Sequence, residues 1–329
     1  MSEDGVKRSA DSAGIPAPPH PERRREPLPW HSPKPVEEDP GAADRIQAIL
    51  KSRAYREADE DIDFLRRSET RGVRLQLDYL KAEVLLEEAG IEHTVVVFGG
   101  TRIREPAAAQ RAVSSLEKAC VADPGNAELR RRLEIARRIL AKSRYYEIAR
   151  EFGRIVGAAG SDGPHRRVVV MTGGGPGIME AANRGSYDIG AESIGLNITL
   201  PESQYPNPYV SPGLCFRFHY FANRKLHFML RARALVAFPG GFGTLDEIFE
   251  ILTLVQTRKI MPVPIVLVGE AYWRKVIDFE FLAEEGTIDP EDRELFWFAE
   301  TADEIWSGIL RWYEAAGRPL FPASAAQET

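Results

Sequence analysis

The chain has 329 residues, 43% of them hydrophobic, enough for one large domain with additions or for two small ones. A net charge of −6 and a pI near 5.7 argue against nucleic acid or an anionic membrane surface as the main partner. Two cysteines, Cys120 and Cys215, are too few for a disulfide scaffold or a zinc ribbon and are expected as buried thiols. No apolar run approaches the roughly 18 residues of a membrane span, and the polar start carries no apolar leader, so the chain reads as cytoplasmic.

Residues 1–43 hold nine prolines and almost no aliphatic side chains. Such a segment cannot bury enough surface to offset its ordering entropy and reads as a disordered tail. Within it Arg23-Arg24-Arg25, flanked by Glu22 and Glu26, reads as solvated. Residues 44–90 read as a helical extension. Ile46, Ile49 and Leu50 share one apolar face, and Ile62, Leu65, Val73, Leu75, Leu77, Leu80, Val84 and Leu85 fall on longer helices, with Gly72 as a break or kink. These helices are expected to pack across a sheet or against a second subunit.

The main domain spans 91–318, followed by a frayed tail at 319–329. Residues 94–98 (TVVVF) are a buried parallel strand ending in Gly99-Gly100-Thr101. A helix over 106–119, an Asp123-Pro124-Gly125-Asn126 turn and one long helix over 127–159 follow. A second strand, 167–171, runs into Gly173-Gly174-Gly175-Pro176-Gly177 and a helix over 178–190; 193–198 is a third strand. The four-proline stretch 201–213 reads as a long functional loop, 215–218 as a possible strand and 222–233 as a basic helix. The strand 234–238, a helix after Gly243, a strand over 263–268 and helices over 272–284 and 302–315 complete the chain. Strands alternating with helices at this spacing predict an α/β fold, a Rossmann-like doubly wound parallel sheet with an N-terminal helical extension.

Three strand ends carry glycine turns: 99–101, 173–177 and Gly240-Gly241-Phe242-Gly243-Thr244. In a parallel sheet all three lie at the carboxyl edge, where ligands bind. A helix opening directly from such a turn offers unpaired N–H groups and partial positive charge to an anion. The last turn also has Asp246 and Glu247 in what reads as the first helical turn. Neither the P-loop pattern nor the G-x-G-x-x-G spacing is met, and the six histidines show no metal-ligand spacing, so no metal or cofactor is expected. His219 and His227 read as structural. Asn223-Arg224-Lys225 precedes the opening strand of the last turn; Arg224 and Lys225 suit an anion clamp or a solvated face, and Arg231 and Arg233 read as solvated.

Pro239-Gly240-Gly241-Phe242-Gly243-Thr244-Leu245-Asp246-Glu247 resembles the P-G-G-x-G-T-x-x-E signature of the LOG ("Lonely Guy") family. Arg224-Lys225 is similar to its upstream R-K pair, Gly173 to Ala181 to its G-G-G-x-G-(I/L)-M segment, and Val97 to Thr101 to its first strand and turn. The similarity spans residues 92–285 and looks like the longer bacterial branch: Phe221-Ala222-Asn223 stands where the plant-type pattern has M-H-E. The resemblance implies a nucleoside 5′-monophosphate phosphoribohydrolase, formerly labelled lysine decarboxylase, that releases base and ribose 5-phosphate from AMP-like or cytokinin riboside monophosphates. It implies a homodimer or higher homo-oligomer with sites near the interface.

On this reading Glu247 is the catalytic carboxylate, ionised under the helix N-terminus and Arg224, and Arg224 is its partner. The phosphate sits on Gly240, Gly241, Gly243 and Thr244, with Gly174 and Gly175 facing it and Lys225 nearby. Glu180 is either a ribose contact or a helix-stabilising acid, and Phe221 a base contact. The alternative is a regulatory protein that binds a nucleotide in the same pocket without turnover.

Overall fold

The computed structural model describes residues 18–24, 26–160, 168–202 and 204–321. Of the disordered tail read over 1–43, residues 1–17 and Arg25 lie outside the described residues, as do 322–329 of the frayed end read over 319–329, and Arg167. The chain divides into two compact units, Met1–Arg71 and Gly72–Thr329. The first carries α1 (Ala42–Leu50) and a single turn, α2 (Ile62–Leu65). Asp61 caps α2 by accepting from Phe64 N at 3.0 Å and pairs with Arg53 at 3.0 Å.

The second unit opens with nearly all of α3 (Arg71–Glu88) and continues with β1 (His93–Phe98), α4 (Pro106–Ala122), α5 (Ala127–Lys142), α6 (Arg144–Gly160), β2 (Val168–Thr172), α7 (Ile178–Asp188) and β3 (Ser193–Ile198). Then come β4 (Cys215–Phe218), α8 (Phe221–Leu230), β5 (Ala232–Ala237), α9 (Phe242–Gln256), β6 (Ile265–Val268), α10 (Glu270–Val276), α11 (Phe279–Glu284), β7 (Trp297–Ala299) and α12 (Ala302–Ala315). The seven strands form one parallel sheet in the order β4-β3-β2-β1-β5-β6-β7. Both faces are covered, which is why the strands read as continuous β-branched runs. On β1, Val95 and Val97 face a core built with α6, α7 and α12, while Val96 and Phe98 face one built with α3, α8, α9 and α10. The strand order reverses at β1, whose neighbours are β2 and β5, and the crevice at that switch point is where open α/β sheets take ligands.

Several elements differ from the sequence reading. The expected helix over 127–159 is two, broken at Ser143, because α5 packs on α4 while α6 turns onto α7 and the sheet. The helix over 272–284 also splits, since Asp278 caps a new start by accepting from Phe281 N at 3.0 Å. Gly72 is no kink: it is the second residue of α3, and the break lies before it. α3 buries only Ala82 and Leu86 and leaves Val73, Leu77, Leu80, Val84 and Leu85 exposed. Strand β7, three residues long, is too short to show a period. Both cysteines are half-buried rather than core thiols. Among the described residues no helix is long and apolar enough to cross a membrane.

Candidate active site

The glycine turns after β1, β2 and β5 meet at the carboxyl edge of the sheet and are bonded to one another. Gly100 N donates to Pro239 O at 2.9 Å, and Gly100 O accepts from Ile178 N at 3.3 Å. Gly177, at φ +77, caps α7 where a Cβ would sit 2.4 Å from Gly100 O, so glycine is required there on both steric and backbone grounds. The loop after β2 is held from below by a buried polar chain. Thr172 Oγ1 accepts from Gly174 N (2.9 Å) and donates to Asn183 Oδ1 (2.8 Å), while Asn207 Nδ2 donates to Asn183 Oδ1 and to Gly175 O, both at 3.0 Å. Asn207 N also donates to Gly174 O at 2.8 Å, so both backbone groups of Gly174 are engaged inside the fold. The long loop containing Asn207 is thereby fixed over the glycines.

The turn after β5 is different in kind. Tyr272 OH holds Gly240 O at 2.5 Å, and the space a Gly240 Cβ would need is filled by the Thr244 side chain. Gly241 and Gly243 are exposed, with open space where their Cβ atoms would be. Gly241 caps α9 without any side-chain bond; Thr244 N donates to Gly241 O at 3.0 Å, and among the described residues the N–H groups of Phe242 and Gly243 face that space without a partner. Phe242 at this tip is 92% exposed.

The sequence reading puts Glu247 in the first turn of this helix and expects it ionised; the structure differs on both points. α9 starts at Phe242, inside the glycine motif, which moves Glu247 to its sixth residue. There Glu247 is only 5% exposed. Burial pushes its carboxyl up to about 7, against the opposing charges of Lys225 and Arg224. Desolvation wins because neither cation makes a direct ion pair with it among the described residues.

Both cations come from α8. Arg224 Nε donates to Leu196 O at 2.7 Å, its guanidinium lies against Gly173, and its carbon stands 5.2 Å from the Phe228 ring centroid and 5.9 Å from that of Phe221. Burial depresses the Arg224 guanidinium, and the charge of Glu247 opposes that. Lys225 bridges to α9, 2.8 Å from Asp246 and 2.9 Å from Glu250. Burial alone would depress the Lys225 ammonium, but those two hydrogen bonds outweigh it and raise the pKa.

Asp78 on α3 sets the position of α8 and has no marker in the sequence. Tyr220, at the helix N-cap, supplies no capping side chain. The Asp78 carboxylate instead anchors the segment that leads into the helix, accepting from His219 N (2.9 Å), Tyr220 N (3.1 Å) and Asn223 Nδ2 (3.3 Å). His227 is fully buried and bonded to Tyr79 O at 3.1 Å, and exposed His219 meets Asp78 through its backbone. Arg231 is not solvated: it pairs bidentately with Glu83, both bonds at 2.8 Å, while exposed Arg233 donates from Nε to His93 Nδ1 at 3.2 Å.

The structure thus gathers Arg224, Lys225, Glu247, Gly240, Gly241, Gly243, Thr244 and the exposed Phe221 on the α8–α9 face of the sheet. Glu180 is elsewhere. It is the third residue of α7, on the opposite face, and accepts from Tyr146 OH at 2.8 Å. Gly174 and Gly175 are buried between the two groups.

A family model described as "Possible lysine decarboxylase" matches residues 179–309, which carry Arg224, Lys225, the glycine turn and Glu247. The chain is 29% identical over 168 residues to "Cytokinin riboside 5'-monophosphate phosphoribohydrolase LOG3" of Arabidopsis thaliana, covering 50% of this chain and 74% of that one. Over about half its length the chain is similar to LOG-family phosphoribohydrolases. "Probable cytokinin riboside 5'-monophosphate phosphoribohydrolase LOGL3" of Oryza sativa subsp. japonica shares 28% over 168 residues, 50% of this chain and 75% of its own. LOG4 of Arabidopsis thaliana shares 28% over 141 residues, 42% and 64% respectively. The X-ray structure of TM1055 aligns with 67% of this chain and 99% of its own at 19% identity and a TM-score of 0.40.

Proposed function

We propose that this LOG homologue hydrolyses the N-glycosidic bond of a nucleoside 5′-monophosphate, releasing free base and ribose 5-phosphate. The observation that carries the reading is Glu247, a buried carboxyl held near neutrality between two α8 cations and one turn and a half beyond an open helix N-terminus. The phosphate docks on the N–H groups at Gly241 to Gly243, where no side chain intrudes. Bond breaking places positive charge on the anomeric carbon; ionised Glu247 faces that charge and takes a proton from the attacking water. Arg224, with Nε tied to Leu196 O, keeps its remaining N–H groups for the substrate. Phe221 offers an apolar face to the base.

Decarboxylation of lysine through a Schiff base is disfavoured at this site. Such chemistry needs a lysine with a depressed pKa, and Lys225 is pinned between Asp246 and Glu250 with its pKa raised. The names of the relatives favour cytokinin riboside monophosphates as substrates, whereas Phe221-Ala222-Asn223 before Arg224 favours a broader AMP-like choice. Chromatography of purified protein incubated with AMP, other purine and pyrimidine monophosphates and isopentenyladenosine monophosphate separates these. Free base from at least one is expected; nucleotide bound tightly with no base released from any would favour a regulator without turnover.

A further inference from the structure

The face of the sheet opposite Arg224 and Glu247 holds a cavity of about 370 Å³ that the proposed reaction does not use. It lies between the turn after β1, the first turns of α7, α6 and the long loop. Its chemistry is concentrated in Arg104, Glu105, Tyr146, Glu180, Arg184 and Tyr209. Arg184 is built in: its Nη1 donates to Glu105 at 2.8 Å and to the Tyr146 hydroxyl at 3.4 Å, and its guanidinium carbon stands 5.1 Å over the Tyr209 ring. The Tyr146 hydroxyl donates to Glu180 Oε1 at 2.8 Å, which leaves the other Glu180 oxygen without a partner among the described residues. Arg104, exposed at the mouth, likewise has no ion-pair partner among them.

This inventory selects a ligand class. The volume is at the small end of ligand pockets, which run roughly 300–1,000 Å³. Apart from Ala108, Pro176 and Gly177 every lining residue carries a polar group, and the Tyr209 ring is already covered by the Arg184 guanidinium, so no open apolar slot is left for a base. Two guanidiniums suit a phosphate, and carboxylates with free lone pairs suit vicinal hydroxyls. We propose that this cavity is a second ligand site, on the opposite face from Glu247, that binds a small sugar phosphate with its phosphate on Arg104 and its hydroxyls on Glu180 and Glu105. The site shares a wall with the first one. Pro176 and Gly177 line the cavity, and the bonds from Ile178 N to Gly100 O and from Gly100 N to Pro239 O lead from it to the turn that opens α9. Occupancy therefore biases the geometry of the anion-binding turn.

The proposal stands apart from the hydrolase reading, which fails on base release, whereas this one fails on binding. Calorimetry of the full chain with ribose 5-phosphate, and with ribose and inorganic phosphate as separate probes, tests it. Arg104→Ala, a change at an exposed residue that leaves circular dichroism unaltered, weakens ribose 5-phosphate by about tenfold or more, as does Glu180→Gln. Arg224→Ala retains one equivalent of binding. The proposal is overturned if Arg104→Ala binds as tightly as the wild type, if a normally melting Arg224→Ala protein binds nothing, or if the wild type itself gives no heat.

Discussion

On the proposed reading, Glu247 and the two cations beside it set the pH dependence of the site. Its carboxyl titrates near 7 in the fold, above its ordinary value of 4.5. Between those two values the folded chain holds a proton that the unfolded chain has lost. Stability is therefore full below about 4.5 and falls as pH rises through about 7. The difference amounts to about 3 kcal/mol. Glu247→Gln, which cannot ionise, should melt higher than the wild type at pH 8 and at nearly the same temperature at pH 4.5, a comparison calorimetry makes directly; equal melting at pH 8 would mean the carboxyl is not held near neutrality. Lys225 is the largest charge lowering the Glu247 pKa. Lys225→Met should therefore move the acid limb of kcat/KM upward, and an unmoved limb would show that the two are not coupled. The identity of Glu247 was legible in P-G-G-x-G-T-x-x-E. Its ionisation was not, because desolvation depends on what packs around a residue, and pattern and spacing do not carry that.

At the scale of elements, the glycines around the start of α9 divide into those the backbone requires and those with open space above them. Gly177→Ala drives a Cβ to 2.4 Å from Gly100 O at a φ of +77 and should destabilise the fold by about 3 kcal/mol or more. Gly243 meets nothing and lies inside a helix, so Gly243→Ala should stabilise by about 0.5–1 kcal/mol. The same methyl stands where the phosphate is proposed to dock, so substrate affinity should fall while the melting temperature rises. A Gly243→Ala protein that binds monophosphate like the wild type would remove the anion site from this turn. The glycines were visible in sequence, but their separate duties were not, since Gly174 and Gly243 look alike until the Thr172–Asn183–Asn207 chain is seen holding one and nothing holding the other. Asp78 was invisible for a related reason: it acts on α8 from 141 residues away along the chain.

Across the whole molecule, the parallel sheet was legible because strands buried on both faces must be apolar throughout. The breaks at Ser143 and between α10 and α11, and the three-residue β7, were not, since tertiary packing rather than local sequence sets them. The exposed stripe on α3 points beyond the single chain. Val73, Leu77, Leu80 and Val84 repeat at spacings of four, three and four, with Leu77 51% exposed, a seam suited to a second helix of the same kind. A second copy packed on this face would lie next to Asp78. Light scattering after size exclusion should show a dimer for the wild type and a monomer for Leu77→Asp/Leu80→Asp; a double variant that remains dimeric would place the interface elsewhere. The most direct measurement for the molecule as a whole is base release from AMP followed across pH for the wild type and Glu247→Gln. Adenine and ribose 5-phosphate are expected in equal amounts, with kcat/KM rising to a plateau above about pH 7 and a loss of about 10²-fold or more in Glu247→Gln. Adenine released equally fast by Glu247→Gln would contradict this expectation.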